Sequence, residues 1–132
     1  MNHEARIRQA LAAFIQLRDD KRFVEWTELF TEDGTFEYLS HVLVGRTAIG
    51  ENVEALLRED RGKHLCANSV IDVSEDGMSA EVRSDFVKLD PADGDSSSRY
   101  EIGVMGRYHD HFVRDEGAWR IAKRRVILMP PD

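Results

Sequence analysis

The sequence of 132 residues contains a single cysteine and no long apolar run. Because Cys66 has no partner in the chain, an intramolecular disulfide framework and any multi-cysteine zinc or iron–sulfur site are excluded. No apolar run approaches the ~20 residues that a membrane span requires, and the N-terminal segment lacks the apolar region of a secretory signal. We therefore expect a cytoplasmic protein with no membrane partner.

Positive charge is also scarce. The chain has 18 Lys and Arg residues against 25 Asp and Glu residues, for a net charge of -7. The cations are scattered, whereas neutralising a phosphate backbone needs a clustered basic face, so nucleic acid is not an expected partner. The sequence also lacks a glycine-rich phosphate loop and a Gly-x-Ser-x-Gly elbow, so nucleotide-dependent chemistry and covalent acyl transfer have no support.

The composition is that of an ordinary globular chain, with 42% hydrophobic and 33% charged residues. A chain of this length should bury roughly two thirds of its unfolded surface and needs neither a disulfide nor a structural metal to fold. No repeat or linker divides it, so we expect one domain over residues 1–132.

Helical periodicity is confined to the first half of the chain. The spacing predicts an amphipathic helix over residues 3–18 with Asn2 as its cap. A polar break over residues 18–21 precedes a second apolar stripe, which predicts a shorter helix ended by the acidic turn at 31–34. Residues 35–38 predict a short strand, and Thr47 is the expected cap of a third helix. The apolar residues of the second and third helices are Phe23, Trp26, Leu29 and Phe30, then Ile49, Val53, Leu56 and Leu57.

From residue 63 onward the apolar period changes to two, which is typical of strands. The pattern predicts four long antiparallel strands joined by turns and by a loop from Pro91 to Ser98; the strands cover 64–73, 78–90, 99–114 and 118–128. Helices followed by strands indicate an α+β fold, in which three helices cover one face of a cone-shaped, curved antiparallel sheet with a pocket.

Three polar residues stand out by position. Asp19 follows the last apolar turn of the first helix, where its carboxylate either points toward the sheet or sits in water. His64 opens the first long strand, as a structural hydrogen-bonding residue or as a catalyst, on one face with Cys66 and opposite Leu65. Asp110 shares an apolar and aromatic strand face with residues such as Tyr108, so its carboxyl is either desolvated, with a raised pKa, or carried into water by a bulge.

The opposite face of the same strand is mixed in character. His109 and His111 could touch one metal ion, but no third ligand lies close in sequence, so no metal site is predicted. A mixed outer face around Met105, Arg107 and His109 is more typical of a two-fold homodimer interface. Among the cations at 123–125, most should form solvated cross-strand ion pairs, although one could turn inward toward an anionic ligand.

The order of elements and three local patterns resemble the nuclear transport factor 2-like superfamily, within it the SnoaL-like group, with its cystatin-like α+β barrel. The resemblance covers nearly the whole chain. The patterns are the helix break and acidic turn of residues 17–36, Lys63-His64 at a strand start, and the closing hairpin of residues 106–126.

Members of this superfamily such as scytalone dehydratase, hexachlorocyclohexane dehydrochlorinase and bile-acid dehydratase pair an aspartate at the helix break with a histidine at that strand start. The resemblance therefore implies that Asp19 orients the imidazole of His64 and that His64 removes a proton beside a departing group. In the ketosteroid-isomerase branch the corresponding functional positions match Phe14, Tyr38 and Asp110 here. Of the three functional residues of that branch, only the aspartate is present here, as Asp110, and this argues against a dienol isomerase.

The sequence and the resemblance together predict a cofactor-free lyase or isomerase, or a related cyclase. Dehydratase-like elimination on an apolar cyclic small molecule of steroid, polyketide, terpenoid or aromatic-catabolic type is the leading interpretation. His64 and Asp19 would be catalytic, and the residues expected to bind substrate are Tyr38, Asp110, Phe14 and Tyr108. The alternative is a ligand-binding or assembly module without catalysis, such as a small subunit of a ring-hydroxylating dioxygenase.

Overall fold

A computed structural model of the chain describes residues 2–92 and 99–129. The described part contains three helices and six strands, in the order α1 (His3–Asp19), α2 (Phe23–Thr27), β1 (Phe30–Tyr38), β2 (His41–Val44), α3 (Arg46–Leu57), β3 (Lys63–Val73), β4 (Ser79–Pro91), β5 (Tyr100–Asp115) and β6 (Ala118–Met129). The predicted loop from Pro91 to Ser98 falls mostly on residues 93–98, which lie outside the described residues.

All six strands form one sheet in the order β2-β1-β6-β5-β4-β3. The α+β class is confirmed, but the expectation of a purely antiparallel sheet is wrong, because β1 runs parallel to β6. The chain enters β1 from α2 in the direction of β6, and the short strand β2, which the sequence analysis missed, then returns antiparallel to β1. The other neighbouring pairs are antiparallel, as predicted.

The second apolar stripe is divided between a helix and a strand. Helix α2 ends at Thr27, and Phe30 already belongs to β1, paired with Ile121 of β6. The amide of Ile121 donates to the carbonyl of Leu29 at 2.9 Å, so hydrogen bonding to the sheet ends the helix early. The acidic segment 31–34 is therefore not a turn before the strand but an irregularity within β1, where the pairing register with β6 shifts.

The start of α3 also differs from the prediction. Gly45, not Thr47, is the residue that precedes the helix, and it has a φ of 89°. Its amide donates to the carbonyl of Gly34 at 2.7 Å, so the chain turns there before the helix begins. A positive φ favours glycine, which has no Cβ to clash. The cap of α1, in contrast, is confirmed, since the side chain of Asn2 accepts from the amide of Ala5 at 2.7 Å.

The core lies between the helices and the concave face of the sheet. At its centre four aromatic rings meet edge to face, with centroid distances of 5.3 to 6.4 Å. They come from α1, α2 and β1 and are Phe14, Trp26, Phe30 and Phe36. This cluster fixes the helical layer against the strand that leads into the sheet. Among the described helices, none combines the length and the apolar character needed to cross a bilayer.

Truncating the centre of this cluster should destabilise the fold strongly. Trp26 is fully buried, so Trp26→Ala is expected to lower the free energy of unfolding by about 3–5 kcal/mol through lost burial and the cavity left behind. Val24 lies on the same helix and is 76% exposed, so Val24→Ala should change it by less than about 0.5 kcal/mol. Urea titration followed by circular dichroism measures both, and equal effects would contradict the placement of α2.

Candidate active site

The end of α1 and the start of β3 are joined by two hydrogen bonds between one pair of residues. Oδ1 of Asp19 lies 2.7 Å from Nδ1 of His64, and Oδ2 of Asp19 accepts from the backbone amide of His64 at 2.9 Å. Both side chains are only 9% exposed. The distance expected for a His–Asp dyad is therefore met, and the two groups lie away from bulk water.

The position of Asp19 follows from the way the chain leaves α1. Asp19 is the last residue of the helix, and Lys21 then adopts a φ of 64°, which turns the chain away toward α2. The carboxylate is left at the open end of the helix, facing the first residues of β3. Lys63 adds a weaker contact, with its Nζ 3.4 Å from Oδ2 of Asp19.

The electrostatics of the pair define the form of the imidazole. Burial acts to raise the pKa of the Asp19 carboxyl, but the hydrogen bonds and charge of His64 and the charge of Arg18 together outweigh it and lower that pKa. Burial is the main cause that lowers the pKa of His64 below its ordinary 6.5, and the hydrogen bond that the ring donates to Asp19 opposes this shift. The carboxylate can only accept, so Nδ1 of the neutral ring must carry the proton.

The other ring nitrogen is the one that can react. Nε2 of His64 has no hydrogen-bond partner within residues 2–92 and 99–129. With the proton held on Nδ1, the lone pair of Nε2 is free to take a proton from a ligand, and the resulting cation would be stabilised by Asp19.

Two hollows meet at His64. The inner one is a cavity of about 80 Å³ between the helices and the sheet, and the outer one is an open groove of about 430 Å³ between α1 and β3. Ligand sites commonly have volumes of ~300–1,000 Å³, so the inner cavity holds a small group rather than a whole ring system. Polar and apolar side chains both line the inner cavity: Arg18, Phe36, Tyr38, His64, Phe86, Lys88, Val104, Tyr108 and Val126.

Of the four residues expected to bind substrate, two line the inner cavity and two do not. Tyr38 and Tyr108 contribute to its wall. Tyr108 stacks on Phe86 with a centroid distance of 4.3 Å, and Gly106 makes room for that ring, because a Cβ there would lie 2.7 Å from Cε1 of Phe86. Phe14 is fully buried within the aromatic core and is not among the residues that line the cavity.

Asp110 is buried and not carried into water, which is one of the two alternatives given by the sequence, but its carboxylate is hydrogen-bonded by another side chain. Arg124 of β6 donates to both of its carboxylate oxygens, at 2.8 and 3.0 Å. Burial raises the pKa of Asp110, while the charge and hydrogen bonds of Arg124 oppose that shift. The geometry makes the carboxyl an acceptor from Arg124, and Asp110 is not among the residues that line the inner cavity.

Two buried cations adjoin the site: the sequence analysis left open that one cation of the 123–125 run turns inward, and it missed Arg18. Arg124 is the member of the 123–125 run that turns inward, and its guanidinium lies 3.9 Å from the ring centroid of Tyr108 and 4.6 Å from that of Phe14. Arg18, next to Asp19, is only 5% exposed and donates from Nη2 to the hydroxyl of Tyr108 at 3.0 Å. Strict alternation on β6 gave no signal for Arg124, because it places Arg124 opposite the buried Ile121; a register shift between the two positions brings both residues to the same face.

The predicted faces of β3 hold only over its first half. Asn68 has a φ of 53°, and the pairing with β4 shifts between Ala67 and Val70. Beyond this bulge the inward positions change by one residue, so Ile71 packs against the core while Val70 is 48% exposed. On the outer face of the sheet, His111 hydrogen-bonds Glu81 through Nδ1.

The lowered pKa of His64 should appear in the pH dependence of stability. Between 6.5 and the lower native pKa, the unfolded chain binds more protons at His64 than the native protein does, so the free energy of unfolding falls as the pH is lowered through this window. His64→Asn should remove this part of the slope. Urea titrations at a series of pH values test it, and an unchanged slope in the variant would contradict the assignment.

A family model described as a SnoaL-like domain matches residues 1–125. Among solved structures, the chain is similar to a variant of Rv3472, a protein of unknown function from Mycobacterium tuberculosis, at 32% identity and a TM-score of 0.85 over 94% of this chain and 70% of that one. A search among curated proteins finds no match.

Two further structures from Novosphingobium aromaticivorans share the fold. A provisionally assigned scytalone dehydratase is 22% identical, with a TM-score of 0.80 over 96% of this chain and 83% of that one. The β subunit of a provisionally assigned aromatic-ring-hydroxylating dioxygenase is 21% identical, with a TM-score of 0.79 over 94% and 87%. The match to the family model over nearly the whole sequence, on the fold just described, shows that the chain belongs to the SnoaL-like domain family.

Proposed function

We propose that the protein is a cofactor-free lyase or isomerase in which His64 removes a proton from a cyclic small molecule. The observation that carries the proposal is the 2.7 Å contact between Nδ1 of His64 and Oδ1 of Asp19 at a shared, water-poor position. It leaves a neutral imidazole with Nε2 free beside the cavity, which is the state that a general base requires. The fold shared with a provisionally assigned scytalone dehydratase supports elimination as the reaction class.

The roles of the surrounding side chains follow from the hydrogen-bond donors and acceptors that each has available. Asp19 fixes the tautomer of His64 and stabilises its protonated form. Tyr108 accepts from Arg18, so its hydroxyl hydrogen remains available to a ligand oxygen, and Tyr38 lines the same cavity. We infer that the two tyrosines bind the substrate oxygen, whereas Asp110 and Phe14 support the wall from behind.

A carbon acid tests the base without knowledge of the natural substrate. β-Tetralone is a bicyclic ketone with an acidic carbon between its carbonyl and its aromatic ring, and we expect the protein to accelerate deuterium exchange there in D₂O. His64→Ala and Asp19→Asn should each lower that rate by about 10²–10⁴-fold, which is what the loss of a general base costs. Proton NMR follows the exchange.

The matched control is a histidine on the other side of the sheet. His109 follows the buried Tyr108 on β5, so its side chain points to the outer face, and His109→Ala should leave the exchange rate unchanged. An equal loss in all three variants, or undiminished exchange in His64→Ala, would remove His64 as the base.

One observation favours a second function, assembly through the outer face of the sheet. Four apolar residues pair in a row across β3, β4, β5 and β6: Leu65, Val87, Met105 and Met129. Three of them are 39–49% exposed, namely Leu65, Met105 and Met129. Contiguous exposed apolar surface of this kind is typical of protein–protein contacts, and one structural neighbour is a dioxygenase β subunit. We propose a homodimer through this row.

Charge placed in the row should break the dimer. In a two-fold interface each copy presents the same patch, so Met105→Glu brings two carboxylates together and should convert the dimer to a monomer. Val42→Glu, at an exposed position of the far strand β2, should leave the dimer intact. Size-exclusion chromatography with light scattering reads the mass, and a monomeric wild type, or a Met105→Glu variant that stays dimeric, contradicts this interface.

A further inference from the structure

Arg18 is a buried cation that lacks a carboxylate partner in the described part of the chain. Its side chain is 5% exposed, and its one hydrogen bond runs from Nη2 to the hydroxyl of Tyr108 at 3.0 Å. Nε is buried and has no acceptor within residues 2–92 and 99–129. The charge of Arg18 helps to lower the pKa of the nearby Asp19, but the carboxylate oxygens of Asp19 accept hydrogen bonds from His64 and Lys63.

Two cations close to Arg18 and Tyr108 have carboxylate partners. Arg124 is held by both oxygens of Asp110. Lys88, which also lines the inner cavity, contacts Asp60 at 2.8 Å and forms an ion pair with Asp90. Among the described residues the buried arginines are Arg18 and Arg124; the fold supplies an acid for Arg124, whereas Arg18 has a neutral hydroxyl.

A buried charge without a counter-ion is costly, since desolvation is not offset by a partner. The guanidinium has five N–H donors in a planar fork that matches planar oxygen anions, and within residues 2–92 and 99–129 the hydrogen bond from Nη2 is the one that its side chain makes. Arg18, Tyr108 and His64 all line the same cavity of about 80 Å³, which is large enough for one charged oxygen group. The missing partner of Arg18 therefore fits a group carried by the ligand.

We propose that Arg18 is a specificity-determining residue that binds an anionic oxygen of the substrate, a carboxylate or a phenolate, beside Nε2 of His64. The proposal rests on the proposed function for the identity of the cavity as the substrate site. It changes the expected substrate class from purely apolar rings to cyclic acids. The charged group occupies the inner cavity with Arg18 and the hydroxyl of Tyr108, and the ring extends toward the open side.

Binding of matched neutral and anionic probes tests the proposal without any turnover. Benzoate is compared with benzamide, and para-nitrophenolate with para-nitroanisole, by isothermal titration calorimetry. In the wild type at least one anion should bind roughly ten- to hundredfold more tightly than its neutral counterpart, which is the range for hydrogen bonds to a charged group. The two pairs distinguish a carboxylate from a phenolate.

Two variants locate that preference. Arg18→Gln should reduce the ratio of the two affinities to about one, whereas Arg18→Lys should keep a preference for the anion because it keeps the charge. The matched control is Arg22→Gln, which removes an arginine from an exposed surface pair with Glu25 and should leave the ratio unchanged. Circular dichroism verifies that each variant is folded.

The outcomes separate this proposal from the proposed function. Equal affinity for anion and neutral analogue in the wild type, or an anion preference that survives in folded Arg18→Gln, overturns the role of Arg18. If Arg18→Gln does not fold, the wild-type ratio and the Arg18→Lys variant decide the question. The binding measurement involves no proton transfer, so if the wild type fails to exchange deuterium into β-tetralone, the proposed function is contradicted and the binding result for Arg18 still stands.

Discussion

The hydrogen-bonded contact between Asp19 and His64 is the constraint on which the rest of the site depends. It joins the last residue of α1 to the second residue of β3, and it uses both the ring and the backbone amide of the histidine. The helical layer and the sheet are therefore held in one relative position at the place where the inner cavity and the outer groove meet. The same contact lowers the pKa of Asp19 and holds the proton of the neutral ring on Nδ1, while burial lowers the pKa of His64, so the contact and the burial together fix the geometry and the protonation state of the candidate base.

Charge balance inside the cone is the second constraint. The Asp110–Arg124 pair lies almost completely out of water, with side-chain exposures of 0% and 1%. A buried pair of this kind contributes little net stability compared with apolar residues, but removal of one partner leaves an uncompensated charge. It also places a guanidinium against the rings of Phe14 and Tyr108. Arg18 lies at the hydroxyl of Tyr108, and its buried Nε has no acceptor in the part of the chain that the structure describes.

The sequence predicted α1, the four long strands and the Asp19–His64 contact, because these depend on periodicity and on local patterns that the family resemblance could align. It did not predict the features that depend on hydrogen bonds between distant segments. Phe30 continues a helical apolar stripe, yet the carbonyl of Leu29 bonds to β6 and the chain becomes a strand there. The bulge at Asn68 exchanges the two faces of β3, which strict alternation cannot anticipate. From the sequence, Arg18 is a charged residue at the end of a helix, where solvent exposure is the ordinary expectation. Its side chain is enclosed because it contacts Tyr108, which is distant in sequence.

The small inner volume limits how a ring-sized ligand can bind. Two hydrogen bonds to Asp19 hold His64 in place. Tyr108 is held by contacts with Phe86, Arg18 and Arg124. Lys88 is different, since its long side chain reaches the cavity from β4 and is held by the carboxylates of Asp60 and Asp90 near the surface, where it is 16% exposed. A flexible stem with its charge already at the edge can move without burying an unpaired ion. The cavity is thus expected to widen toward Lys88, which would leave the donors of Arg18 and the lone pair of His64 Nε2 in place at its inner end.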